Sequence, residues 1–90
     1  MLRKPGFVLR QVLDEYMVLP TGEQTKTFRG VVVLNDVSAF VWKLLEKPIA
    51  RDEILRAVLD RYEVDEATAA ADLDALIGRL DDVGVLEDTG

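Results

Sequence analysis

In the first third of the chain, apolar positions fall in short runs rich in β-branched and aromatic residues. Phe7–Val12 and Glu15–Pro20 are two such runs, separated by Leu13 and Asp14. They predict the strands of a hairpin, although the two-residue joint lacks the Asn-Gly or Asp-Gly of a strong turn signal. Residues 21–24 read as a loop. Residues 25–34 read as a third extended stretch, with Gly30 as a bulge or bend. At Asn35 the period changes from two to 3.6. Val37, Phe40, Val41, Leu44 and Leu45 form one helical stripe, with Asn35 as its N-cap and Pro48 forbidding continuation. A second helix starts near Arg51 with the stripe Ile54, Leu55, Val58, Leu59 and Tyr62; Asp52 and Glu53 suit its dipole. Asp65 caps a third, whose stripe is Ala69, Leu73, Leu76, Leu80 and Val83, and Gly84 ends it. Val85 and Leu86 then return to the core or add a short strand. Neither three strands nor three amphipathic helices bury their apolar faces alone. The pattern predicts one α+β domain over residues 1–90, with helices on one face of a three-stranded antiparallel sheet.

Composition narrows the chemistry. The chain has 90 residues and no cysteine or histidine, which removes disulfides, thiolate chemistry, zinc fingers and His-based triads. The apolar runs fall far short of the ~20 residues of a membrane span. The basic N-terminus has no apolar stretch behind it, so no signal peptide is expected and the cytoplasm is the default. Carboxylates are the remaining candidates for catalysis. Asp72 and Asp74 are two apart and diverge on a helix, and Asp81 and Asp82 lie at a helix end; no acid–base couple emerges. Ser38 has no base beside it. Neither an enzyme nor a bound cofactor or metal is expected. The net charge of −6 is uneven: residues 65–90 hold eight Asp/Glu and one base, Arg79. Phosphate backbones call for basic surface, so nucleic acid is not an expected partner.

Two features stand out. Val31, Val32, Val33 and Leu34 are apolar without alternation, whereas a strand with one wet face alternates. Either an extended peptide adds a strand beside this run, or the strand is central or covered by a loop; the residues alone leave both open. Trp42 lies about 100° or more from the middle of its stripe. That places it at the core's edge with Leu45, with a surface for another protein as the alternative.

The run Val33-Leu34-Asn35, followed by Ala39-Phe40-Val41-Trp42-Lys43-Leu44-Leu45, resembles the strand-to-helix junction of the PqqD family. Tyr62-Glu63-Val64-Asp65, then Ala71-Asp72-Leu73-Asp74-Ala75-Leu76-Ile77, and finally Leu80, Gly84, Val85 and Leu86 continue the likeness over nearly the whole chain. Two departures concern helix ends: Glu46-Lys47-Pro48-Ile49 lacks an Asp-Gly, and Ala50 replaces a Thr or Ser cap. The resemblance implies a winged-helix-like recognition element for ribosomally made, later modified peptides. Such elements bind the leader of a precursor peptide as an added strand and deliver it to a maturase, a radical SAM enzyme in many systems. By position it implies that Val31, Val32, Val33 and Leu34 contact the leader, with Ala70, Leu73, Asp74 and Ile77 of the third helix on the opposite wall. Lys26 and Arg29 would meet acidic leader residues at the rim. A winged-helix DNA-binding protein and an assembly subunit that binds only the maturase are the competing readings; the former would require more than Arg79 on the third helix.

Overall fold

The computed structural model describes residues 1–26, 28 and 31–87. In chain order the elements are β1 (Leu2–Arg3), β2 (Phe7–Val12), β3 (Glu15–Pro20), a 3-10 helix (Gly22–Lys26) and β4 (Val32–Leu34). There follow α1 (Asp36–Leu44), α2 (Arg51–Arg61), α3 (Glu66–Asp82) and β5 (Leu86–Glu87). Strands β2, β3 and β4 form an antiparallel sheet in that spatial order, and β1 pairs antiparallel with β5. The α+β reading holds, with the three helices following the three-stranded sheet.

Side-chain alternation sorts the sheet into two faces. Tyr16, Val18, Val32 and Leu34 turn inward, where Val18, Val32 and Leu34 join the buried core. The helices complete that core with Val41, Trp42, Leu45, Ile54, Val58, Leu73 and Leu80. Local chemistry sets the helix starts. The Asn35 side chain accepts from the Ser38 N–H at 2.8 Å, and Asp65 accepts from the Thr68 N–H at 3.1 Å. Ala50 has no side chain to cap α2, but Glu53 reaches back to accept from the Ala50 N–H at 3.3 Å. Gly84, at φ +82°, takes the left-handed turn that ends α3.

Two strand expectations change. The third stretch is not extended from residue 25: Gly22–Lys26 winds into a helical turn, closed by the Thr25 hydroxyl donating to the Gly22 carbonyl at 2.7 Å. The expected bend at Gly30 lies outside the described residues. The N-terminal residues, unassigned by the pattern, form β1. The Arg3 N–H donates to the Leu45 carbonyl and the Lys4 N–H to the Val85 carbonyl, both at 2.9 Å, so this segment closes the core over α1. Trp42 is consequently 1% exposed, inside the core rather than at its rim. The Arg3 guanidinium lies 5.2 Å from its ring centroid.

The β2–β3 hairpin turns on Leu13, which is at φ +56° and 90% exposed. A left-handed Leu costs roughly 1–2 kcal/mol that glycine avoids. With so little burial to lose, Leu13→Gly should stabilise the domain by about 0.5–1 kcal/mol, less than the relieved strain because glycine is freer when unfolded. Urea unfolding checks this; an unchanged or lower midpoint would refute the strain.

Candidate functional site

Beside the edge strand β4 lies an open groove of about 490 Å³. Its floor is apolar: Val37 and Val41 of α1, Val58 of α2, Val64, and Leu73 and Leu76 of α3. Asn35, Ser38, Thr68, Asp72 and Arg79 line it as well and bring its polar groups. A smaller hollow at the end of β4, of about 300 Å³, adds Val33 and Leu34 and shares Asn35, Ser38 and Arg79 with it.

One flank of α3 forms a wall of this groove. Thr68, Asp72, Ala75 and Arg79 are spaced four, three and four apart and so stack on one side of the helix. Ala70, Asp74 and Ile77 occupy the other flank and do not line the groove. Asp74 faces α2 instead: its carboxylate accepts from Arg51 Nε at 2.9 Å and from Nη2 at 3.0 Å. That guanidinium holds Asp74 below the usual carboxylate range, and the same pairing raises Arg51. Ile77 packs against the core. The expected residues therefore divide. Leu73 lines the groove, and Val33 and Leu34 line the adjoining hollow that shares Asn35, Ser38 and Arg79 with it. Val31 is exposed just before β4, and Val32 is buried beneath the strand. Lys26 pairs with Glu23 at 3.2 Å, and Arg29 lies outside the described residues.

The edge of β4 is polar as well as apolar. Arg79 Nη2 donates to the Val33 carbonyl at 3.2 Å. That carbonyl thus points away from β3. In an antiparallel ladder the N–H and C=O of one residue point to the same side, so the Val33 N–H also faces outward. Val33 is paired with Met17, and its side chain is 46% exposed on the outer face of the sheet. Val32 and Leu34 have the opposite arrangement: their backbone groups serve the ladder and their side chains the core. The four-residue apolar run therefore resolves into two buried residues and two half-exposed ones, Val31 and Val33.

The site thus combines one outward backbone donor–acceptor pair, an apolar trough beside it, and a helix flank of small and polar residues. It has the shape and chemistry to take an extended peptide, with backbone pairing on one side and side-chain pockets on the other. Thr68, Asp72, Ala75 and Arg79 were missed by sequence reasoning. Arg79 carried the one available signal, as the lone base in an acidic third of the chain. No helix among the described residues is long and apolar enough to cross a membrane.

Comparison with known proteins bears on this geometry. The family model described as "Coenzyme PQQ synthesis protein D (PqqD)" matches residues 15–86. Among solved structures, the chain is similar to one described as TbiB1 in complex with the TbiA(beta) leader peptide. The identity is 29% and the TM-score 0.74, with 100% of this chain and 99% of that chain covered. No curated protein matches the chain.

Proposed function

Since the chain belongs to the PqqD family, we propose that it binds the leader region of a ribosomally synthesised precursor peptide and presents it to a modifying maturase. On this reading residues 1–90 act as one recognition domain in the cytoplasm, without catalysis of their own, and the receiving enzyme is of the radical SAM class. The leader adds a strand to β4, bonding to the Val33 N–H and carbonyl. Its side chains enter the trough between α1 and α3. The observation that carries this is the open edge of β4 beside an apolar groove. The similar chain solved with a leader peptide on it supports the same reading.

The contact set that follows differs from the one implied by position alone. Val33, Leu34, Leu73, Thr68, Asp72, Ala75 and Arg79 form it, while Asp74 bonds to Arg51 of α2, Ile77 packs against the core and Ala70 lies on the flank away from the groove. Titrating the ¹⁵N-labelled domain with the leader of its cognate precursor tests both halves. The amides of Val33, Asn35, Thr68, Asp72 and Ala75 should shift, and those of Ala70 and Asp74 should move less. A leader that binds while residues 33–35 and 68–76 stay unmoved would defeat the groove assignment.

A further inference from the structure

On another face of α1 lies a second concavity, of about 320 Å³, lined by Tyr16, Asp36, Phe40, Lys43, Arg61 and Tyr62 together with Ala39. It shares no residue with the groove beside β4, which uses Val37, Ser38 and Val41 of the same helix. We infer that this pocket takes an acidic side chain of a partner protein, as a docking point separate from the peptide groove.

Two cations are held there on aromatic rings. The Arg61 guanidinium carbon lies 5.3 Å from the Phe40 centroid and 5.7 Å from that of Tyr62. These two rings brace each other edge-on at 5.7 Å. Lys43 Nζ lies 6.0 Å from the Tyr16 centroid. Ring contact restrains a guanidinium while leaving N–H groups at its edge to donate, the fork geometry that a carboxylate matches.

The chain carries 17 acidic side chains against 11 basic ones, enough to pair every cation. Arg51 is paired with Asp52 and Asp74, and Lys26 with Glu23. Arg3 and Arg79 donate to backbone carbonyls. Lys43 and Arg61 make no ion pair and no hydrogen bond among the described residues; the side chains of Lys4, Arg10, Lys47 and Arg56 have none either, so what sets Lys43 and Arg61 apart is that aromatic rings hold both at one concavity. Asp36 lines the same pocket, yet forms an ion pair with neither; it sits in the first turn of α1, where the helix dipole favours an anion. The pocket is thus left with two cations and one carboxylate, on a protein whose overall charge repels acidic partners. A local site of opposite sign on such a surface sets orientation and rejects mismatched partners.

The test uses the whole chain, labelled with ¹⁵N and ¹³C, and the peptide acetyl-Glu-Glu-Glu-Glu-amide as probe. The Arg61 Nε–H resonance and the Tyr62 ring signals should shift saturably, with the groove amides of Thr68 and Ala75 unmoved. Arg61→Gln and Lys43→Gln should each weaken binding several-fold, and added salt should weaken it further. Arg56→Gln, on α2 outside the pocket, should leave it unchanged. The inference fails if no shift develops up to on the order of 10 mM peptide, a dissociation constant too weak for docking. It fails equally if Arg56→Gln weakens binding as much as Arg61→Gln, or if inorganic phosphate shifts the same signals at lower concentration. Because the groove can be empty or filled throughout, failure here leaves the leader-binding proposal standing, and the reverse holds too.

Discussion

Proline at position 33 should abolish most leader binding while the domain stays folded. The Val33 N–H faces away from β3, so the ladder loses nothing when it is removed. Its side chain is half-exposed, so the core loses little. Edge strands accept proline where the N–H side is open, and Val32 before it is already extended, as a residue preceding proline must be. An added strand, by contrast, loses its donor and meets the pyrrolidine ring. A bound backbone carbonyl left without a partner costs about 1–3 kcal/mol, a factor of roughly 5–150 in affinity. Val32→Pro is the informative contrast. It removes a bond of the β3–β4 ladder and places the ring in the core face, so it should lower the unfolding midpoint first. Val33→Ala should bind nearly as the parent, since backbone pairing tolerates side-chain changes. Calorimetric titration with the leader, alongside thermal melts, distinguishes the three. Undiminished binding by a folded Val33→Pro variant would show that the peptide does not lie on this edge.

Truncating Trp42 to alanine should be the most damaging single change to the fold. The indole is 1% exposed, among the largest side chains fully buried, and packed within the core that includes Val41 and Leu45. Removing a buried aromatic side chain costs about 3–5 kcal/mol through lost transfer energy and the cavity left behind. Arg3 also loses the ring beneath its guanidinium. For a domain of this size, whose total stability is on the order of 5–13 kcal/mol, that is a large fraction. At about 4–8 °C per kcal/mol, the melting temperature should fall by roughly 12–40 °C. A fall of only a few degrees would mean that the indole contributes far less packing than its burial implies.

What the sequence revealed follows the range of the interactions involved. Both Asx caps were legible because Asn35 and Asp65 act on N–H groups three residues away. The core stripe of α3 was legible because 3.6-residue periodicity marks the buried side. Periodicity cannot tell the two flanks of that stripe apart. Which one faces α2 is decided by packing and shown by the Arg51–Asp74 pair, 23 positions apart in the chain. Asp72 and Asp74 looked equivalent in the sequence, yet one lines the groove and the other bonds to α2. The N-terminal strand was illegible for the same reason: two residues carry no period, and their partner is β5 at the far end. Missing β1 also left Trp42 at the core's edge, because the segment that covers it had no assigned place. At residues 25–26, the expected start of the third strand, the Thr25 hydroxyl and a helical turn outweighed the β preference of a threonine-containing stretch.

The bond from Arg79 to the Val33 carbonyl has a further consequence for the protein before any peptide arrives. An open strand edge is a template for any chain that can extend against it, including another copy of the same domain. The β4 edge is three residues long and its Val33 acceptor is already engaged by a side chain, whereas β2, at the other edge of the sheet, spans six residues. A second copy offers its own short β4 edge with the same acceptor tied up, so two domains gain little by zipping together along β4 and bring two like-charged molecules into contact. A peptide without a fold to disturb can displace the guanidinium and run on into the trough. On the leader-binding reading, the arginine occupies the Val33 acceptor of the β4 edge until a peptide displaces it.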